Sequence, residues 1–241
     1  MAILFDLDGT LLDHEHAAAA AITTWAAAMD APAPPAGRTL ASWWRELEDL
    51  WFERFERAET THQGQRVGRT RDFLNRPDLS ADEALHYYDG YLSTYRDNWL
   101  AYPDAADALR RALATGDSVG VLTNGAREMQ AAKLATTGLD LPGVTLLPTV
   151  EWGLTKPDPR AYQRGLAELG ISGEPEAATP AVMIGDNFAN DVAAARAAGL
   201  AAVLVTRGHA PVPDGEPAIT SLDQLQFSPG AARITDAPAQ A

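Results

Sequence analysis

The sequence predicts an α/β fold, a doubly wound (Rossmann-like) parallel sheet with an inserted all-helical domain. Short apolar runs at 2–5, 118–122 and 181–184 have the length of strands buried on both faces, as in the middle of a parallel sheet. From Pro103 onward such runs alternate with helical patterns of roughly ten to fifteen residues, which is typical of this class. Between residues 14 and 98 the sequence shows no strand pattern.

Composition limits the kinds of partner and site. The chain has 241 residues, 46% of them apolar, which is enough for a sizeable core. Its formal net charge of −14 argues against nucleic acid or an anionic membrane surface as a partner. It contains no cysteine, so a metal would need oxygen or histidine ligands. Lysine occurs only at positions 133 and 156.

The N-terminal region shows no targeting or membrane segment. Asp6 and Asp8 interrupt the apolar stretch that a secretory signal would need. The uncharged run at 16–29 is rich in alanine and too short to span a bilayer. We therefore expect a cytoplasmic protein with no membrane partner, and the sequence leaves monomer and homodimer equally open.

The helical block begins directly after the first strand. Residues 15–29 are rich in alanine, and residues 40–58 place tryptophan, leucine and phenylalanine at helical spacing. Another helix is expected at 66–75, and the Ser80–Glu83 capping box opens a further helix that continues to about residue 98. This pattern predicts a helical domain over 14–98.

The remaining chain predicts the sheet and its helices. We expect the core to comprise residues 1–13 and 99–227, with residues 228–241 as a flexible tail. The expected elements, in chain order, are a helix at 103–115, a strand at 118–122, a helix to about 137, a strand at 144–150, a helix at 159–170, a strand at 181–184, a helix at 188–199 and a strand at 201–205.

Paired acids follow the first strand in the sequence DLDGT. Asp6 and Asp8 repel one another at the end of a buried strand, so a cation is needed there, most simply a divalent metal. Gly9 allows the backbone to leave the sheet sharply. One carboxylate can attack phosphorus, and the second can protonate the leaving oxygen. The alternative is an acidic turn without catalytic function.

Polar residues also follow later strands. Thr123 and Asn124 stand ahead of a helix N-terminus, where a hydroxyl and main-chain N–H groups suit a phosphate oxygen, although a simple cap and turn is the alternative. Lys156 follows the next strand and could equally be a solvated charge. Asp186 and Asp191 could merely cap a helix. However, Asp186 can also join Asp6 and Asp8 in supplying the oxygen ligands that Mg²⁺ prefers.

These four segments, DLDGT, TNG, TKPDP and GDNFAND, resemble in order the four motifs of the haloacid dehalogenase-like (HAD) hydrolase superfamily. The resemblance implies that Asp6 is the nucleophile and Asp8 the general acid/base, with the Asp8 main-chain carbonyl on Mg²⁺. It implies that Thr123 binds the phosphoryl group and Lys156 offsets its charge. It also implies that Asp186 binds the metal, with Asp191 behind it.

The same resemblance identifies residues 14–98 as a helical C1 cap, which in that family selects the substrate and acts as a lid. The guanidinium group of arginine, with its paired N–H donors, suits a carboxylate or a second phosphate. Arg66 and Arg69 are our candidates for substrate contact. Lys133 is expected to be an exposed helix residue.

The expected activity is Mg²⁺-dependent hydrolysis of a small soluble phosphomonoester through an aspartyl phosphate. Asp8 favours phosphoryl transfer over 2-haloacid dehalogenation, and the absence of lysine from 14–98 excludes the phosphonate-cleaving branch. A phosphomutase remains open. The helical insertion argues against a non-enzymatic phospho-accepting receiver domain. The complete set of expected residues argues against an inactive effector-binding relative.

Overall fold

The computed structural model describes residues 1–29, 31–171, 181–208 and 212–235. The chain forms two compact units, which we call the helical unit, His14–Leu100, and the core unit, Met1–Asp13 together with Ala101–Ala241. The α/β class predicted from the sequence is confirmed by a parallel sheet in the core unit.

The helical unit contains four described helices and no described strand. They are α1 (His14–Ala28), α2 (Leu40–Glu56), α3 (His62–Leu74) and α4 (Ala81–Arg96). The capping box at the start of α4 forms as the sequence indicates, with the Ser80 N–H donating to Glu83 Oε2 at 2.8 Å. Aromatic rings fill the unit's interior: the ring centroids of Trp44 and Tyr91 are 4.5 Å apart.

The core unit is built on a six-stranded parallel sheet in the order β3-β2-β1-β4-β5-β6. Its strands are β1 (Ala2–Phe5), β2 (Ser118–Thr123), β3 (Val144–Pro148), β4 (Ala181–Gly185), β5 (Ala201–Val205) and β6 (Ala218–Ile219). Because β1 pairs with β2 on one side and β4 on the other, the strand order changes direction there. Ligands of open α/β sheets bind at such a switch point, beyond the carboxyl ends of the strands.

Helices connect these strands. They are α5 (Ala105–Leu113), α6 (Arg127–Thr137), α7 (Pro159–Glu168) and α8 (Ala194–Ala197), with single turns at Val150–Trp152, Phe188–Ala193 and Leu222–Gln224. The turn at Phe188–Ala193 is π-helical and leads into α8, where the sequence predicts one continuous α-helix. Among the described residues, we find no helix that is long and apolar enough to cross a membrane.

The apolar core explains why the strands read as unbroken hydrophobic runs. Each residue of β1 is fully buried. Leu4, Leu122 and Met183, from three neighbouring strands, pack in one cluster with Tyr162 of α7 and Ala195 of α8. Burying side chains of this size contributes about 1.5–3 kcal/mol each, so the cluster fixes the strand ends firmly.

Residues 228–235 are not the flexible tail that the sequence predicts. Strands β7 (Leu225–Ser228) and β8 (Ala231–Ile234) form an antiparallel hairpin, and the remainder, 236–241, lies outside the described residues. Leu225 is buried, and the Phe227 ring lies 6.1 Å from that of Phe5. The hairpin stays folded because these two side chains attach it to the apolar core.

Candidate active site

The carboxyl ends of three adjacent strands bring the candidate residues together. Asp6 follows β1, Thr123 ends β2 and Asp186 follows β4. The Asp6 N–H donates to the Ile184 carbonyl at 2.8 Å, which holds the end of β1 against β4. Residues from positions 6, 123 and 186 therefore meet because parallel pairing aligns the ends of their strands.

Lys156 joins two of the acids. Its Nζ donates to Asp6 Oδ1 and to Asp191 Oδ1, both at 2.6 Å. Lys156 is 2% exposed and Asp191 1% exposed, so neither ion pair is solvated. The other oxygen of Asp191 accepts a hydrogen bond from the Asn187 N–H at 3.1 Å. Both oxygens of Asp191 thus help to hold Lys156 and the start of the π-helical turn.

Asp186 approaches the DLDGT turn closely. Thr10 Oγ1 donates to Asp186 Oδ1 at 3.1 Å. Gly9 has a φ of +88°, and a Cβ there would lie 2.3 Å from Asp186 Oδ2. Glycine is therefore required at this position both for its backbone conformation and for the space that Asp186 occupies.

Asp6, Asp186 and Asp191 form a compact acidic group with carboxylate oxygens within 4.8 Å of one another. Burial raises the pKa of Asp6 well above its usual range, and Lys156 offsets this only in part. Burial and the neighbouring Asp191 raise the pKa of Asp186 to about 7. Three carboxylates face one ammonium, which leaves an excess of negative charge.

That excess fits a divalent cation. The donors are all oxygens, which are the ligands Mg²⁺ prefers, and a charge of +2 would balance three carboxylates and one lysine. Burial opposes the charge of Lys156 as well, yet Asp191 and Asp6 raise its pKa above the usual range, so it remains an ammonium. The side chain of Asp8 does not belong to this group, and metal binding by its main-chain carbonyl stays a prediction.

Asn124 supports Lys156 rather than presenting its side chain to a ligand. Its Nδ2 donates to the Lys156 carbonyl and its Oδ1 accepts from the Lys156 N–H, both at 2.8 Å. Thr149 Oγ1 donates to the same Oδ1 at 3.0 Å. The predicted phosphate contact of Asn124 therefore remains only for its main chain. Thr123, which is 2% exposed, accepts a hydrogen bond at Oγ1 from Gln130 Nε2.

The prediction that Lys133 is exposed is wrong. It is 4% exposed, and its Nζ lies 2.6 and 2.7 Å from the two carboxylate oxygens of Asp8. Gln130, one turn earlier on α6, donates from Nε2 to Asp8 Oδ2 at 3.1 Å. The sequence analysis missed both residues, although Gln130 and Lys133 stand at the i,i+3 spacing that places them on one helix face.

The two arginines proposed for substrate contact differ. Arg69 is 1% exposed, forms an ion pair with Glu48 and donates to the Tyr88 hydroxyl. The structure therefore does not support Arg69 as a substrate contact, because its guanidinium lies inside the helical unit. Arg66 is partly exposed and lies 5.3 Å from the centre of the Tyr88 ring. Its contact with substrate stays a prediction.

A doubly wound parallel sheet with a lysine and clustered carboxylates at its switch point is typical of α/β proteins that bind or transfer an anionic group at the carboxyl ends of their strands. Comparison with known proteins identifies the family. The sequence pattern of the haloacid dehalogenase-like hydrolases matches residues 1–199, and the chain belongs to that family.

Individual relatives are named for different activities. A phosphoserine phosphatase of Thermus thermophilus is 38% identical over 116 residues, 48% of this chain and 45% of that protein, so the chain spans about half the length of this relative. The (S)-2-haloacid dehalogenase 4A of Burkholderia cepacia is 31% identical over 71% of this chain and 70% of its own. The HAD-hydrolase YfnB of Bacillus subtilis, solved with magnesium bound, has a TM-score of 0.75 and 20% identity, covering 92% and 95% of the two chains, which shows the shared fold.

Proposed function

We propose that this protein is a Mg²⁺-dependent phosphatase that hydrolyses a small phosphomonoester through an aspartyl-phosphate intermediate. The observation that supports the proposal best is the surroundings of Asp6. Lys156 lies 2.6 Å from it on one side, and the carboxylates of Asp186 and Asp191 complete a group with oxygens within 4.8 Å. A nucleophilic carboxylate beside both a fixed cation and a cation-seeking acidic group is suited to phosphoryl transfer.

Asp6 and Asp186, with Asp191 behind them and the main-chain carbonyl of Asp8, would hold the ion. When bound, Mg²⁺ would supply Lewis-acid stabilisation of the negative charge on the phosphoryl oxygens. Lys156 would neutralise charge between Asp6 and the phosphoryl group. Thr123, at the end of β2, would contact a phosphate oxygen with its hydroxyl or main chain.

In the first step an Asp6 carboxylate oxygen attacks phosphorus, the bond from phosphorus to the ester oxygen breaks, and Asp8, which enters this step as the carboxylic acid, gives that oxygen a proton. In the second step water attacks the phosphorus of the aspartyl phosphate, and Asp8 takes a proton from the water. The phosphorus–Asp6 bond then breaks and inorganic phosphate leaves. The sum is ester and water converted to alcohol and phosphate, with Asp6 and Asp8 restored.

A 2-haloacid dehalogenase is the second candidate because one relative carries that name over 71% of this chain. Such a reaction attacks carbon and releases halide, so it needs no proton for the leaving group. Asp8, with its own set of partners on α6, favours the phosphatase. A phosphomutase shares the acid/base and would differ in returning the phosphoryl group to a second sugar hydroxyl.

The test is steady-state phosphate release from an aryl phosphate with Mg²⁺, with EDTA, and with Asp6→Asn. We expect EDTA to abolish turnover and Asp6→Asn to lower kcat at least about 1,000-fold, because the nucleophile is lost. Asp140→Asn, an exposed carboxylate of the core unit, is the matched control and should retain full activity.

Other outcomes identify the alternatives. Turnover that survives both EDTA and Asp6→Asn would contradict the proposal. Halide release from a 2-haloacid in the same assay would indicate the dehalogenase instead. Incorporation of one phosphate per chain without release would indicate a phospho-accepting protein.

A further inference from the structure

Both lysines of the chain are buried against carboxylates of the DLDGT segment. Lys156 engages Asp6, and Lys133 engages Asp8. The first pairing belongs to the site already described. The second involves a helix residue for which the family resemblance assigns no role, and it raises the question of what α6 contributes to the reaction.

The Lys133 ammonium lies within hydrogen-bond distance of both carboxylate oxygens of Asp8. Its Nζ is 2.6 Å from Oδ1 and 2.7 Å from Oδ2, and its side chain is 5% exposed whereas that of Asp8 is 28% exposed. An aspartate with this exposure could be hydrated without an ion pair. Burying a lysine, by contrast, costs several kcal/mol unless a partner compensates. The arrangement therefore restrains Asp8 more than it adds to stability.

Gln130 adds a second restraint and connects Asp8 to the phosphate side of the site. Its Nε2 donates to Thr123 Oγ1 at 2.6 Å and to Asp8 Oδ2 at 3.1 Å. Gln130 is 2% exposed, so water does not compete for its amide. One side chain thus fixes the distance between the proposed acid/base and the hydroxyl at the end of β2.

Gly125 provides the space for this bridge. A Cβ at position 125 would lie 2.3 Å from Gln130 Nε2 and 2.4 Å from its Cδ. The glycine of the TNG segment is therefore explained by the close approach of Gln130. The segment and the first half of α6 act as one structural unit around the amide.

We propose that Lys133 and Gln130 are positioning residues that hold the Asp8 carboxylate beside Thr123 for proton transfer during the reaction. This inference rests on the proposed function, in which Asp8 serves both chemical steps. Proton transfer requires the carboxylate within hydrogen-bond reach of the ester oxygen, and a displacement of about 1 Å from the productive geometry can cost 100-fold in rate.

The test compares two substrates of similar shape, phenyl phosphate and 2,4-dinitrophenyl phosphate, in Lys133→Met. Phenoxide leaves poorly without a proton, whereas dinitrophenoxide leaves readily without one. Because kcat/KM reports formation of the aspartyl phosphate, we expect it to fall about 30-fold for phenyl phosphate and less than about 3-fold for the dinitrophenyl ester. Lys133→Arg, which keeps the charge, should recover part of the loss.

Two further variants separate positioning from folding. Arg127→Met removes a positive charge from an exposed position on the same helix and should leave both substrates unchanged. In the Asp8→Asn background, Lys133→Met should cause no additional loss with phenyl phosphate, because its effect passes through Asp8. Equal losses for the two substrates, or faster turnover in Lys133→Met, would overturn the inference.

If the wild-type protein hydrolyses neither ester, that result counts against the proposed function. The coupling of Lys133 to Asp8 can then still be tested by measuring stability. Asp8→Asn should lower the unfolding midpoint by roughly 5 °C, because it leaves the buried Lys133 ammonium uncompensated. The double variant Asp8→Asn, Lys133→Met should be more stable than Asp8→Asn alone. Strictly additive losses would show that the pair is not coupled and would overturn the inference.

Discussion

Each of the two units contains a buried charge cluster, and the two clusters differ in balance. In the helical unit Glu48 accepts from Arg69 and lies 3.0 Å from His14 Nε2. Arg69 also stacks against Trp44, with its guanidinium carbon 4.8 Å from the ring centre. Burial favours the neutral acid, but Arg69 and His14 hold the pKa of Glu48 well below its usual range. This cluster is electrostatically complete.

The cluster in the core unit is incomplete. Asp6, Asp186 and Asp191 share one partner, Lys156, and the pKa values of Asp6 and Asp186 are raised by burial and by their neighbours. A buried charge that has its partner within the protein is costly to expose by removing that partner, whereas charge left unbalanced in a buried place is suited to an external cation. The difference indicates a structural role for the first cluster and a binding role for the second.

The largest effect should come from unbalancing the complete cluster. Glu48→Gln removes the negative charge facing Arg69 and should lower the free energy of unfolding by about 3 kcal/mol, because it leaves a buried guanidinium uncompensated. Urea unfolding followed by tryptophan fluorescence measures this, since Trp25, Trp43, Trp44, Trp51 and Trp99 belong to the helical unit and only Trp152 does not.

Glu46→Gln, on the same helix, is the matched control. Its ion pair with Arg38 is 49% and 44% exposed, so the loss should stay below about 1 kcal/mol. Equal destabilisation by Glu48→Gln and Glu46→Gln would contradict the prediction, because it would mean that burial of the ion pair does not determine the loss of stability.

Balancing the incomplete cluster should have a slightly smaller effect. At a Mg²⁺ concentration of one hundred times the dissociation constant, the ion should stabilise the protein by about 2.7 kcal/mol, or roughly 8 °C in the core unit's calorimetric midpoint. Asp186→Asn should lose most of this shift because a ligand oxygen carries no charge, while Asp140→Asn should keep it. A shift of the same size in Asp186→Asn would argue against the acidic group as the binding site.

The smallest effect concerns pH in EDTA, and its sign differs between the clusters. The pKa of Asp186 is about 7 when folded and about 3.9 when unfolded, so the folded chain binds more protons between these values. Core stability should therefore fall by about 2 kcal/mol as pH rises from 5.5 to 7.5. The lowered pKa of Glu48 acts oppositely, since its contribution is lost as pH falls below about 4.3. Calorimetry across pH 3–8 measures the unfolding midpoints of the helical unit and the core unit. If both midpoints changed in the same direction with pH, the contrast between the two clusters would be contradicted.

The fold could be predicted because its signals are local. Buried parallel strands are short apolar runs, and their ends carry the polar residues that meet at the switch point. The hairpin after residue 225 escaped prediction because β8, Ala231–Ile234, is only four residues long and half of it is alanine, which is depleted in strands. The Pro229-Gly230 turn between its strands was the available signal.

Gln130 and Lys133, which the sequence analysis missed, reach the candidate site through tertiary contacts. Lys133 lies in an alanine-rich helix that reads as a solvent-facing segment, whereas in the structure its side chain is buried and contacts Asp8 of the DLDGT turn. Arg69, which we named for substrate contact, lies on a polar-looking helix, and the structure packs it between Trp44 and Tyr88. The rarity of lysine in the sequence was the one early signal that Lys133 is unusual.

The burial of both lysines has a consequence for labelling chemistry. Acylating reagents modify the neutral amine in solution. The side chains of Lys156 and Lys133 are 3% and 5% exposed, and each is paired with a carboxylate. Modification can proceed only as fast as the surrounding core opens. An amine-reactive reagent would thus report the opening of the site in the unmodified protein, with Lys133 and Lys156 as two reporters distinguished by peptide mass.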